Sequence, residues 1–206
     1  MKAYFISFEG IEGVGKSTAI KWVMAYLANL NIDFVVNREP GGTEISEDIR
    51  QVLLQHHPEL MSLETELLLM FACRSQNVSQ VVKPALQTGK WVISDRFTDA
   101  SYAYQGYGRG MALEKIASLA QWVHGDLKPD ITFLLDAPVD IGFERLKKRR
   151  NKDRIESEDL GFFERVRQGY LTLAKNEPNR FRLVQADRPL AEVQQQLLKE
   201  LNKLIT

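Results

Sequence analysis

Five short stretches of the chain are apolar almost without interruption, at residues 4–8, 34–36, 91–95, 130–136 and 181–184. Runs of this length, rich in β-branched and aromatic residues, predict strands buried on both faces. Between them apolar residues recur every three or four positions, over 21–30, 63–82, 113–124, 139–148, 162–175 and 190–204. That spacing predicts helices with one buried side. A shorter helix is expected after residue 43, capped by Thr43 or Ser46, with Ile49, Val52, Leu53 and Leu54 on its apolar side. Pro84 predicts a kink or a restart beyond the long helix. Residues 96–110, rich in tyrosine and glycine, read as a loop. Strands alternating with helices predict an α/β fold: a five-stranded parallel sheet, right-handed crossovers and helices on both faces. In such sheets ligands gather at the carboxyl ends of the strands. Glu9, Arg38, Asp95, Arg96 and Asp136 are the polar residues that fall there.

The junction after the first strand carries the clearest chemistry. Gly10-Ile11-Glu12-Gly13-Val14-Gly15-Lys16-Ser17 spells G-x-x-x-x-G-K-S, and Thr18 leads into the first helix. Strand, glycine loop and helix form the context of a phosphate-binding loop. The glycines let successive N–H groups turn inward around an anion, and the helix N-terminus adds partial positive charge at the same point. Lys16 is then placed to bridge the β- and γ-phosphates of ATP, and the Ser17 hydroxyl to hold Mg²⁺.

Composition narrows the setting. At 206 residues the chain is most simply one domain, 1–206, around a single core. Lysine plus arginine (27) balances aspartate plus glutamate (27), so no overall field favours nucleic acid or a membrane surface. Positive charge for phosphates must be local. The one cysteine, Cys73, permits no intrachain disulfide, and three histidines make no metal cluster. The first strand begins at once, which argues against a signal peptide, and no apolar run nears membrane-spanning length. A cytoplasmic protein is the expectation.

Several machines share the phosphate loop. A GTPase would read guanine with N-K-x-D at a strand end. Asn151-Lys152-Asp153-Arg154 puts the carboxylate one place early, within a charged run. Arginines spread among the loops suit transfer between two phosphates. A kinase for a hydroxyl acceptor, of the deoxynucleoside or shikimate type, stays open, with Glu9 as its base. So does a nucleotide-binding regulator without turnover.

Phe8-Glu9-Gly10-Ile11-Glu12-Gly13, Arg38-Glu39-Pro40-Gly41-Gly42-Thr43, Asp95-Arg96-Phe97 and Ser101-Tyr102-Ala103-Tyr104-Gln105-Gly106 resemble the signature set of the bacterial thymidylate kinases. The resemblance runs nearly the whole chain. It implies a three-layer sandwich of the P-loop NTPase type, transfer of the γ-phosphate of ATP to dTMP, and a homodimer formed by helix packing. An acceptor phosphate is largely ionised at neutral pH, its second pKa being about 6, so no general base is required. Arg38 and Arg96 are expected to hold that phosphate, with Pro40 beside them. Asp95 is expected to hold Mg²⁺ directly or through water. Glu9 would contact the acceptor's sugar or the metal's water. Phe71 and Arg74, three apart on one helix, would stack on the pyrimidine and bind its O4. Ser101, Tyr104 and Gln105 would surround base and deoxyribose, with Tyr104 crowding a 2′-hydroxyl. Residues 145–157 would be a lid. The loop itself offers no arginine, so the lid must supply one: Arg154 first, Arg150 second. Glu12 would pair with it or orient the acceptor.

Overall fold

The computed structural model describes residues 2–147 and 152–205. Five strands, β1 (Phe5–Glu9), β2 (Phe34–Arg38), β3 (Trp91–Asp95), β4 (Ile131–Asp136) and β5 (Phe181–Gln185), form one sheet. All pair in parallel, in the order β2-β3-β1-β4-β5. β1 is central, with Ile6 opposite Ile93 on one side and Ile131 on the other. Its alternate residues feed opposite layers, as a period of two requires. Ile6 and Phe8 join the larger core with Val23, Leu27, Phe133, Val166 and Leu197. Phe5 enters a second cluster with Val78, Val82, Val92 and Phe97. The sheet is therefore covered on both faces, which is why its inner strands show no polar alternation.

Nine α-helices surround it among the described residues: α1 (Lys16–Asn29), α2 (Glu44–Leu54), α3 (Leu63–Asn77), α4 (Lys83–Gln87), α5 (Thr98–Ser101), α6 (Leu113–Val123), α7 (Val139–Lys147), α8 (Leu160–Asn176) and α9 (Leu190–Ile205). α1 starts at Lys16, five residues before its apolar pattern becomes regular, because Gly15 in the left-handed region (φ 97°) turns the phosphate loop directly into it. Thr43, not Ser46, caps α2, its hydroxyl accepting from the Ser46 amide. The expected break at Pro84 is a wide π-turn over Val78–Val82, after which α4 continues with proline in its first turn. The wider turn carries the helix past a residue that has no N–H to donate.

Residues 96–110 are not a loop. α5 runs into a π-helical segment, Tyr102–Gly108, that packs along α8. The glycines serve that packing: a Cβ at Gly108 would meet the Phe162 ring at 2.7 Å, and one at Gly169 would meet Tyr107 at the same distance. Glycine content signalled close approach here, not a turn. Among the described residues no helix is long and apolar enough to cross a membrane.

Candidate active site

The carboxyl ends of β1, β2 and β3 open into a cleft of about 510 Å³, reached by Lys16, Ser17, Arg38, Pro40, Arg74, Asp95, Arg96, Ser101, Tyr104 and Gln105. Backbone geometry shapes its floor. Gly10 (φ 132°) and Gly13 (φ 76°) hold angles that side chains rarely adopt, and a Cβ on either would strike a carbonyl oxygen, Leu135 or Gly142 respectively. Ile11 and Val14 turn their side chains into the core and serve the loop through their backbone. Gly15, Ser17 and Thr18 line the cleft at the start of α1. The Lys16 ammonium donates to the carbonyls of Gly10 (3.0 Å) and Ile11 (2.8 Å). Burial, and then the charge of Arg96, push its pKa down to about 8.

Arg96 joins the two halves of the cleft. It takes a left-handed backbone angle (φ 71°) just past β3. Its Nη1 donates to the Gly10 carbonyl (3.0 Å) and the Tyr170 hydroxyl (2.9 Å). Its Nη2 donates to Glu12 (2.7 Å) and the Tyr104 hydroxyl (2.9 Å). The Tyr104 hydroxyl in turn donates to Glu12. Glu12, odd on paper beside phosphates, is thus the counter-ion of Arg96. It binds no described lid arginine.

Arg38 is more exposed and is braced by Glu47. Arg50 on α2 enters the same end of the cleft and donates to the Pro40 carbonyl (2.7 Å). Nothing in the sequence pattern singled it out, since an arginine late in an amphipathic helix is ordinarily a solvent residue. Arg74 is 2% exposed and fully directed: Nε to Glu39 (2.8 Å), Nη1 to Ser101 (2.9 Å), Nη2 to the Phe97 carbonyl (3.0 Å). It lies over the Phe71 ring at 4.6 Å.

Several residues sit differently from the positions expected of them. Phe71 does not face the cleft; it packs in a core cluster with Leu67, Met111, Ile116 and Ala120. Met70, one position earlier and four before Arg74, lines the cleft instead. Spacings of three and four share a helical face, so periodicity alone cannot choose between them. Glu9 is completely buried and lies outside the cleft lining, its carboxylate accepting from the Phe97 amide and the Tyr170 hydroxyl, both at 2.7 Å. It braces the turn that carries Arg96. Burial, then the charge of Asp99, push its pKa upward. Arg154 does not reach the phosphate loop: it donates to Glu66 (2.7 Å) and the Leu53 carbonyl (3.0 Å). Arg150 lies outside the described residues. Arg145 on α7, missed in the sequence, lines the cleft and donates to the Gly13 carbonyl (2.9 Å). Asp136, also at a strand end, is taken up by a two-point ion pair with Arg167.

Ser17 and Asp95 both line the cleft, and neither side chain is engaged by a hydrogen bond to another described residue. No group of three or more metal-type ligands occurs among the described residues. Two oxygen donors beside a phosphate loop suit Mg²⁺, which takes most of its ligands from phosphates and water.

Comparison with known proteins bears on the same arrangement. A family model described as thymidylate kinase matches residues 8–197. Thymidylate kinases of Vesicomyosocius okutanii and Cupriavidus necator are each 52% identical to the chain, over 193 and 201 residues. These matches cover 94% and 97% of this chain, and 94% and 98% of those proteins. The crystal structure of thymidylate kinase from Ehrlichia chaffeensis aligns with a TM-score of 0.79 and 33% identity, over 98% of this chain and 99% of that one. Fold, phosphate loop and near full-length similarity agree, and the chain belongs to the thymidylate kinase family.

Proposed function

We propose that the protein transfers the γ-phosphoryl group of ATP to dTMP, giving dTDP and ADP. The observation that carries this is Arg96, which bonds the phosphate loop through Gly10 and the acceptor side through Tyr104. One guanidinium between two phosphate sites suits stabilisation of charge on a group in transit. Residues 10–18 cradle the donor phosphates, with Lys16 on the β- and γ-oxygens. Arg38, Arg96 and Arg50 hold the acceptor phosphate, and Pro40 closes that end. Arg74, Ser101, Tyr104 and Gln105 form the base and deoxyribose wall, floored by Met70.

Ser17 and Asp95 would hold Mg²⁺, which would neutralise part of the phosphates' negative charge. The hydroxyl-acceptor alternative is weakened because Glu9, its base, is sealed under the Arg96 turn. With Arg154 engaged elsewhere, the lid arginine that meets the phosphates is assigned to Arg150, and Arg145 steadies the loop at Gly13. The single domain over 1–206, cytoplasmic location and homodimeric assembly belong to the same reading. Exposed apolar side chains on two helices that pack together, Leu68 on α3 and Trp122 on α6, suit a dimer face.

The test is ADP release with MgATP against dTMP, dUMP, dCMP, AMP, thymidine, shikimate and no acceptor. Strong turnover with dTMP, less with dUMP and none with thymidine is expected. Turnover on thymidine or shikimate but not dTMP would replace the phosphate acceptor with a hydroxyl. Nucleotide binding without turnover on any acceptor would favour a regulator.

A further inference from the structure

Glu66 is a carboxylate on α3 that neither phosphate site uses, and it is 1% exposed. Three side chains from distant parts of the chain converge on it. Gln105 donates its Nε2 to Oε1 at 2.9 Å. Arg109 donates through Nε (3.3 Å) and Nη2 (3.2 Å), and Arg154 through Nη1 at 2.7 Å. Burial opposes the charge of Glu66, yet Arg109, the Gln105 amide and Arg154 together hold its pKa below the ordinary value. An ionised carboxylate only accepts hydrogen bonds, whereas a glutamine amide has a donor end and an acceptor end. Glu66 therefore selects the NH₂ end of Gln105.

Gln105 also borders the cleft, and its carbonyl end has no hydrogen bond among the described residues. Arg74, on the same wall, offers donors only. Glu39, Ser101 and Phe97 take three of its five N–H groups, so the wall carries both a remaining donor and the Gln105 acceptor. A thymine edge is complementary, with O4 accepting and N3–H donating. A cytosine edge is the reverse, with a 4-amino donor next to an N3 acceptor.

We propose that Glu66 is a specificity-determining positioning residue: it locks the Gln105 amide so that its carbonyl faces the cleft, admitting 4-oxo pyrimidines and refusing 4-amino ones. This rests on the base-facing role given to Gln105 above. Arg109 and Arg154 keep Glu66 ionised. The anchor of the lid segment and the selectivity of the base site thereby share one buried charge.

The experiment measures kcat/KM for dTMP and dCMP at saturating MgATP in the unmutated protein, Glu66→Gln, Gln105→Leu and the double variant. A glutamine at 66 can donate as well as accept, so it frees Gln105 to turn over. The dTMP-over-dCMP preference should fall at least tenfold in Glu66→Gln, through KM for the acceptor. In the Gln105→Leu background, Glu66→Gln should change that preference no further. If Gln105→Leu abolishes the preference while Glu66→Gln leaves it intact, the inference is overturned and the role of Gln105 survives. If Gln105→Leu leaves the preference intact, the role of Gln105 itself fails.

Should Glu66→Gln not fold, unmutated protein labelled with ¹⁵N-glutamine answers the same question. The Gln105 NH₂ protons, facing a buried carboxylate, should exchange slowly with solvent whether or not dTMP is bound. Fast exchange in the free protein, suppressed only by dTMP, would put the NH₂ group in the cleft and overturn the lock.

Discussion

Lys16 is a partly buried ammonium whose partners in the free protein are two carbonyl oxygens and the more distant charges of Glu12 and Asp95. Burial and Arg96 lower its pKa from 10.5 to about 8. Between those pH values the folded protein binds fewer protons at this site than the unfolded chain, so this lysine's penalty on stability diminishes as pH rises across the window. A bound triphosphate reverses the preference by supplying negative charge. Nucleotide binding should therefore draw in a proton above pH 8, and affinity should fall as pH rises further. Calorimetry at pH 8.5 in buffers of different ionisation heat measures this. Proton uptake on ATP binding is expected, reduced in Lys16→Met; equal uptake in that variant would assign the proton elsewhere. Arg74 illustrates another constraint at this scale. Its pairing with Glu39 aims the guanidinium at Ser101 and Phe97, so Arg74 acts from a fixed position.

At the scale of elements, the segment that precedes α8 is anchored to the helices beside it. Arg154 ties it to α3 through Glu66, and the Arg154 backbone amide bonds the Leu54 carbonyl at the end of α2. Arg109 adds a bond to Glu158. Arg154→Ala should therefore lower unfolding stability by about 2 kcal/mol, the scale of a hydrogen bond to a charged group, and lower kcat less than tenfold. Arg150→Ala should leave stability unchanged and lower kcat about a thousandfold, as loss of a transition-state arginine does. Urea denaturation and steady-state kinetics on the two variants decide it, and the opposite pattern would return the catalytic role to Arg154. The π-helical segment Tyr102–Gly108 belongs to this scale too. Gly108 lets α8 approach closely and Gly106 does the same for α6, and these contacts set where Tyr104 and Gln105 stand.

Across the whole molecule, buried polar groups link separate elements, as between α5 and the end of α6. His124, at the end of α6, bonds the Thr98 hydroxyl through Nε2 (2.8 Å) and the Gly125 carbonyl through Nδ1 (3.2 Å). Burial, then the charge of Arg74, lower its pKa from 6.5 to about 4. The unfolded chain takes up this proton first, so stability falls as pH drops from 6.5 toward 4. The loss between pH 6.5 and 4.5 should be about 2 kcal/mol. Urea midpoints at the two pH values, compared with His124→Asn, test it; an undiminished acid loss in the variant would point to carboxylates instead.

The parallel α/β architecture and the phosphate loop were determined by the sequence alone, because both rest on local rules. Continuous apolar strands need cover on both faces, and Gly10 to Ser17 needs only its own backbone to form the turn. Arg38, Arg96 and Asp95 were legible because a strand end fixes where the next residue must lie. Tertiary packing decided the rest. Only the contact of α3 with α6 turns Phe71 into the core and leaves Met70 to the cleft. Only α8, lying against the Gly108 backbone, makes a helix of a tyrosine- and glycine-rich stretch. Glu66 gathers Gln105, Arg109 and Arg154 across 88 positions of chain. A carboxylate's partners at such separation follow from the folded arrangement of α3, the π-helical segment and the residues around Arg154, and no spacing in the sequence encodes them.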